Sequence, residues 1–145
     1  MADPERITEI LSKVPLFENL NKRQIQNLAR IFIDRKCQAG EVIVPQGREG
    51  YGFFIVASGK AEAVRERADG TKTVVNTFGP GDFFGELALL DNGPRTASVI
   101  ATEPTECLIL PRENFLGVLR RDGEMAVDIL TELAKRFRTS IEACY

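Results

Sequence analysis

The chain has 145 residues, 43% of them hydrophobic, with a formal net charge of −2 and no histidine. That length and apolar share suit a single domain with one filled core, and the slight negative charge argues against a partner held through a nucleic-acid backbone, because that affinity comes from clustered positive charge. Without histidine, Ser-His and Cys-His nucleophilic catalysis, haem ligation and histidine-ligated metal oxygenase sites lose their central group, so an enzyme would rest on carboxylates, Lys or Tyr alone.

Asp3 followed by Pro4 opens the first predicted helix, with Asp as N-cap and Pro at the first helical position. Ile7, Ile10, Leu11 and Val14 then recur at helical spacing, and Pro15 closes the segment. Asn21 with Gln24 three residues on has the pattern of a capping box, and Ile25, Leu28, Ala29 and Phe32 give a second amphipathic helix. Residues 1–35 therefore read as a helical preface.

From Cys37 to Leu110 the runs "EVIVPQG", "GFFIVASG", "AEAVRER", "KTVVNTF", "TASVIA" and "ECLILP" are β-branched or aromatic and are parted by glycine-rich turns. Short strands at this spacing predict a sandwich or barrel over residues 36–110. Asp69-Gly70 predicts a two-residue type I′ hairpin turn, which needs positive φ at both central positions. After Pro111 the helical period returns, with Phe115 and Leu119 on a short helix. Ala126, Leu130, Leu133, Phe137 and Ile141 then form the stripe of a longer one. The fold class is α+β, mainly β: an antiparallel β-roll or jelly roll flanked by N-terminal helices and two C-terminal helices, the whole of 1–145 forming one domain.

Cys37, Cys107 and Cys144 are an odd set, far apart and without a Cys-x-x-Cys spacing, so neither a disulfide framework nor a structural zinc is expected. The first two read as small buried hydrophobes in strands, in a reducing compartment. No apolar run approaches the ~20 residues that span a bilayer, and the charged "MADPERITEI" lacks the apolar stretch of a signal peptide. A cytoplasmic location without membrane contact is the expectation.

The segment "FGELALLDNGPRTASV", residues 84–99, holds the densest chemistry. Glycines let the backbone approach a ligand, and a helical turn starting at Gly85 would aim free N–H groups at an anion. Arg95 adds a planar fork suited to a phosphate, and with no Mg²⁺ ligands nearby the set fits a phosphodiester of one charge. Glu86 would repel that phosphate unless it faced another part of the ligand, such as a sugar hydroxyl. Phosphate with ribose means a nucleotide.

These residues resemble the phosphate-binding cassette of cyclic nucleotide-binding domains, and "AGEVIVPQG", "FFIVASGKAEA" and "FGPGDFFGE" extend the likeness through nearly the whole chain. The resemblance implies that Arg95 pairs with the cyclic phosphate and that Glu86 accepts from the ribose 2′-hydroxyl. Amides around Gly85, Leu87 and Ala88 would complete the cradle, with Phe84 and Ala97 lining it. Thr96 would contact phosphate and a guanine amino group, although a β-branched residue also belongs in a strand for its own sake. Leu89 would touch the helix that follows the roll, and Val74, Phe137 and Ser140 are candidate base contacts. Phe137 also reads as packing, and Lys135, Arg136 and Arg138 read as a solvated face offset by Asp128, Glu132 and Glu142.

Two departures from the family pattern stand out. Tyr51 occupies a place where many members carry an acidic residue, and the sequence stops where DNA-binding members continue into a helix-turn-helix. The expectation is thus a sensor of cAMP or cGMP, without catalytic residues, metal or cofactor. It would not contact nucleic acid directly and would report through its closing helices to an effector or a second copy in a homodimer. An enzyme on a cupin-like jelly roll is the poorer rival because it lacks histidine ligands. A related fold that binds no nucleotide and serves as an interaction surface is the other alternative, against which stand Glu86 and Arg95.

Overall fold

The computed structural model describes residues 3–48, 52–91 and 93–143. Tyr51, Cys144 and Tyr145 lie outside the described residues. The chain forms two compact units, one built from Phe32–Glu113 and the other from Asp3–Ile31 with the residues from Asn114 onward.

The first unit contains two four-stranded antiparallel sheets made from β1 (Ile33–Cys37), β2 (Val42–Val44), β3 (Gly52–Ser58), β4 (Ala61–Glu66), β5 (Lys72–Phe78), β6 (Phe83–Phe84), β7 (Ser98–Ala101) and β8 (Thr105–Pro111). The strand orders are β1-β8-β3-β6 and β2-β7-β4-β5. Alternation sets the core: Cys37, Phe54, Val56, Phe84, Cys107 and Ile109 from the first sheet meet Ile43, Val44, Ala61, Ala63, Phe78, Val99 and Ala101 from the second. β3 is buried on both faces. Phe54 stacks on Phe84 with ring centroids 5.0 Å apart, while Phe53 on the opposite face meets Phe32 and Phe83.

Three expectations about this unit are corrected. The preface does not reach residue 35, because Ile33–Cys37 pairs along β8, and Phe32 lies beyond the second helix. β1 escapes periodicity because four of its five residues are not buried. The hairpin between β4 and β5 has no two-residue type I′ turn: only Gly70 takes positive φ, at +87°, and the Arg67 N–H donates to the Thr71 carbonyl at 2.9 Å. The Asp69 carboxylate accepts from both the backbone N–H and the hydroxyl of Thr71, which holds Asp69 at negative φ and lengthens the loop.

The second unit holds α1 (Pro4–Leu11), a 3-10 turn at Pro15–Phe17, α2 (Lys22–Ala29) and α4 (Gly123–Ala143), with most of α3 (Arg112–Arg121). Asp3 caps α1 by accepting from the Glu5 N–H, and Asn21 and Gln24 form the reciprocal capping box of α2. Phe17 and Phe115 pack with centroids 6.0 Å apart.

The stripe expected to bury α4 does not do so. Met125, Ile129 and Glu132 face inward, whereas Leu130 and Phe137 are 63% and 68% exposed. The helix carries apolar residues on two faces, and polar contacts settle the choice: Asn19 donates to Glu132 at 3.2 Å and Gln24 donates to Asp128 at 3.3 Å. Arg136 completes the pairing of the buried Glu132 at 3.2 Å. Glu132 and Asp128 are therefore anchors rather than parts of a solvated face.

Cys37 and Cys107 are both buried free thiols, as expected, and burial pushes the Cys107 thiol up to about 12. The folded chain keeps this proton between about pH 9 and about 12 while the unfolded chain releases it, so stability falls as pH rises through that window. Cys107→Val is expected to flatten this alkaline decline in denaturant midpoints. Alkylation followed by peptide mass spectrometry at neutral pH should leave Cys37 and Cys107 unlabelled in the folded protein and label both after unfolding; labelling of the native pair would refute their burial.

Candidate functional site

The cassette lies entirely in the sheet unit. β6 ends in Phe84, whose ring is held between Phe54 and Phe78, the latter with a centroid distance of 4.9 Å. Gly85 follows at φ +85° and caps a single 3-10 turn, Glu86–Leu89. A side chain at Gly85 would be excluded twice: L-residues rarely adopt that φ, and a Cβ there would stand 2.6 Å from Nη1 of Arg95. Arg95 and Gly85 are thus brought together, ten residues apart in sequence.

The backbone around Arg95 is fixed from the opposite direction. Its N–H donates to the Arg48 carbonyl and its own carbonyl accepts from Gly47, both at 2.8 Å. Its side chain turns inward, with Nη2 donating to the Gly52 carbonyl at 2.9 Å and the guanidinium carbon 5.8 Å from the centre of the Phe54 ring. Neighbouring contacts extend the frame. Ser98 Oγ accepts from the Gln46 N–H, and the Gln46 amide pairs with both backbone groups of Glu66. Arg65 reaches the Thr96 carbonyl through Nε at 3.4 Å.

Glu86 is half-buried on the same turn as the amides, and its carboxylate accepts no hydrogen bond from a described residue. Leu87 is 63% exposed and Leu89 fully buried. The Ala88 N–H, expected in the cradle, donates to the Gly85 carbonyl at 3.0 Å. Ala97 packs on the core cluster and Thr96 is exposed. Val74 pairs with Val64 across a bulge, so the β4 alternation sets it apart from the buried Ala61 and Ala63 and from Arg65. Phe137 and Ser140 are exposed on α4, in the other unit.

Gly52, Phe54, Gln46 and Arg65 were not legible as site residues. Gly52 acts through a carbonyl that every residue possesses, and Phe54 reads only as strand core. Among the described residues no group of three or more His, Cys, Asp or Glu side chains comes together as a metal site, and no helix is long and apolar enough to cross a membrane.

Residues 34–122 match the profile of the cyclic nucleotide-binding domain family. The chain is 38% identical over 124 residues to the cyclic AMP receptor protein of Thermus thermophilus, covering 86% of this chain and 57% of that one. It is 43% identical over 104 residues to the cAMP-dependent protein kinase regulatory subunit of Yarrowia lipolytica, covering 72% of this chain but 26% of the relative. The N-terminal domain of a transcriptional regulator from Streptomyces coelicolor superposes with a TM-score of 0.83 at 29% identity, covering 94% of this chain and 95% of that domain. With a transcriptional regulator among its relatives, the expectation of no direct contact with nucleic acid gains no support from these likenesses. The family match over residues 34–122, more than half of the chain, makes this chain a member of the cyclic nucleotide-binding domain family.

Proposed function

We propose that the chain is a non-catalytic sensor module that binds a single cyclic nucleotide at Phe84, Gly85, Glu86, Leu87, Ala88, Arg95, Thr96 and Ala97 and relays occupancy to its C-terminal helices. The observation that carries this reading is the Arg95 guanidinium lying against Gly85 at the head of the turn that bears Glu86. A cation, a backbone that can be approached closely and a carboxylate share one loop, which suits a phosphodiester joined to a ribose. Two relatives named for cAMP favour adenine as the base, and Thr96 is the residue through which guanine would compete.

In this reading the whole chain acts as one regulatory domain in the cytoplasm. Val127, Leu130, Phe137 and Ile141, exposed along α4, supply the face through which it meets an effector or a second copy. Phe137 and Ser140 are the candidate base contacts on that helix.

Isothermal titration with cAMP and cGMP tests the reading. Arg95→Ala should weaken binding by on the order of thirty- to several-thousand-fold, the range for removing one member of a desolvated charge pair. Folded Arg95→Ala binding within a few fold of wild type would sink the phosphate role, and no binding by the wild type would favour the interaction-surface alternative.

Glu86→Gln and a 2′-deoxy ligand should each weaken binding, and the two losses should not add if the carboxylate reads that hydroxyl. Full additivity would separate Glu86 from the ribose.

A relay requires that α4 change with ligand. Amide hydrogen exchange is expected to slow on cyclic nucleotide binding both in residues 84–90 and in α4. Protection confined to the loop would mean binding without a relay.

A further inference from the structure

Away from the cassette, the helical unit carries an open groove of about 690 Å³ between α1 and α2. α1 buries Ile7, Ile10 and Leu11 and lines the groove with Glu5, Thr8, Glu9 and Ser12. α2 lines it with Lys22, Gln26 and Arg30, while Ile25 and Ala29, each 4% exposed, form an apolar floor with the half-buried Leu20. The spacings of three and four residues place each set on one face of its helix, so each helix presents a continuous wall.

The α1 wall is acidic and the α2 wall basic. Among the described residues none of Glu5, Glu9, Lys22 and Arg30 forms an ion pair, so the two walls stand beyond salt-bridge reach of each other. We propose that this groove docks an amphipathic helix of a partner protein, with apolar residues on its underside, cations on the flank toward α1 and anions on the flank toward α2. The proposal stands apart from nucleotide binding and does not rest on it.

Three features select that occupant. The wall residues Glu5, Glu9, Lys22, Gln26 and Arg30 are all exposed, so a small molecule lying between them would keep much of its surface in water, unlike the ligand of an enclosing cleft. Each wall runs about 12 Å, or two helical turns, which is the reach of apolar anchors spaced i, i+3, i+4 and i+7 on a docked helix. An extended peptide would find no row of unpaired backbone groups along helices that bond their own, whereas a helix brings its backbone already satisfied. Charge completes the selection: Glu5 and Glu9 repel an anionic surface, and Lys22 and Arg30 repel a purely cationic one, so only a partner bearing both signs meets both walls.

The test uses three fluorescent helical peptides of about fifteen residues, each with leucines along one face and a hydrocarbon staple on the other to equalise helicity. One carries Lys on one flank and Glu on the other, the second Lys on both, the third Glu on both. Fluorescence anisotropy with the full chain is expected to rank the mixed peptide tightest, ahead of each like-charged one by about two- to thirty-fold at low salt, the worth of two exposed ion pairs, and the gap should close at 1 M salt. Amide shifts of the ¹⁵N-labelled chain should map to residues 4–30.

Reversing a wall should reverse the ranking. Glu5→Lys with Glu9→Lys is expected to bind the Glu-flanked peptide best, and Lys22→Glu with Arg30→Glu the Lys-flanked one. No binding by any peptide, equal binding by all three, shifts outside residues 4–30, or a ranking unmoved by both reversals would each overturn the proposal. Shifts at residues 4–30 that grow with protein concentration alone would give the groove to a second copy, and shifts there with a zwitterionic alkyl betaine below its micelle concentration but with no peptide would give it to a small amphiphile; either result also overturns it.

Discussion

A guanidinium turned inward from a strand edge must find acceptors, because a desolvated cation without them is far costlier than any packing it gains. In this chain the Gly52 carbonyl supplies one such acceptor, to Nη2 of Arg95, and Gly85 and Phe54 lie against the same guanidinium. Gly85 lacks a side chain where the fork lies, and the Phe54–Phe84 stack supplies the surface beneath it. Each feature makes physical sense only with the cation in place. Removing the arginine would take the Nη2 donor from the Gly52 carbonyl and empty the space beside Gly85.

The strand order brings these groups to Arg95. β3 lies between β8 and β6, so the strand that offers the Gly52 carbonyl also pairs, two residues later, with Phe84, the last residue of β6 and the one before Gly85. Across the core, Gly47 and Arg48 just after β2 fix the Arg95 backbone, and Gln46 ties that segment to β4. The arginine is thus held by its main chain from one sheet and by its side chain from the other. A close-packed protein interior transmits a displacement more readily than it absorbs one.

What could be read from the residues depended on whether the chemistry was local in sequence. Gly85, Glu86 and Arg95 occupy one short stretch, and side-chain type alone led to the expectation of an anion site there. The Gly52 carbonyl could not be read, since a backbone acceptor has no signature, and Phe54 is a strand residue like its neighbours until the fold sets it under a cation. The polar stretch Ile33–Cys37 hid a strand because the pairing of β1 along β8, not its own burial, makes it one. On α4 the apolar residues mark two faces, and the buried one was chosen by Asn19 and Gln24, more than a hundred residues earlier, through Glu132 and Asp128. The hairpin failed as a two-residue turn for an equally small reason, a carboxylate at Asp69 that captured Thr71.

In the proposed sensor any signal has to come from groups that change partners on binding. Ligand shifts an equilibrium only by its differential affinity for the two states, and a preset contact is equally available in both. Within the sheet unit the Ala88 N–H is such a group: it is bonded to the Gly85 carbonyl, and to serve an anion it must leave that partner. The exchange would reshape the 3-10 turn Glu86–Leu89, whose last residue, Leu89, is fully buried and cannot shift without repacking its surroundings. Under the function proposed above, recognition and response would be separable in one loop, with Arg95 supplying affinity and the turn at Ala88 and Leu89 supplying the movement.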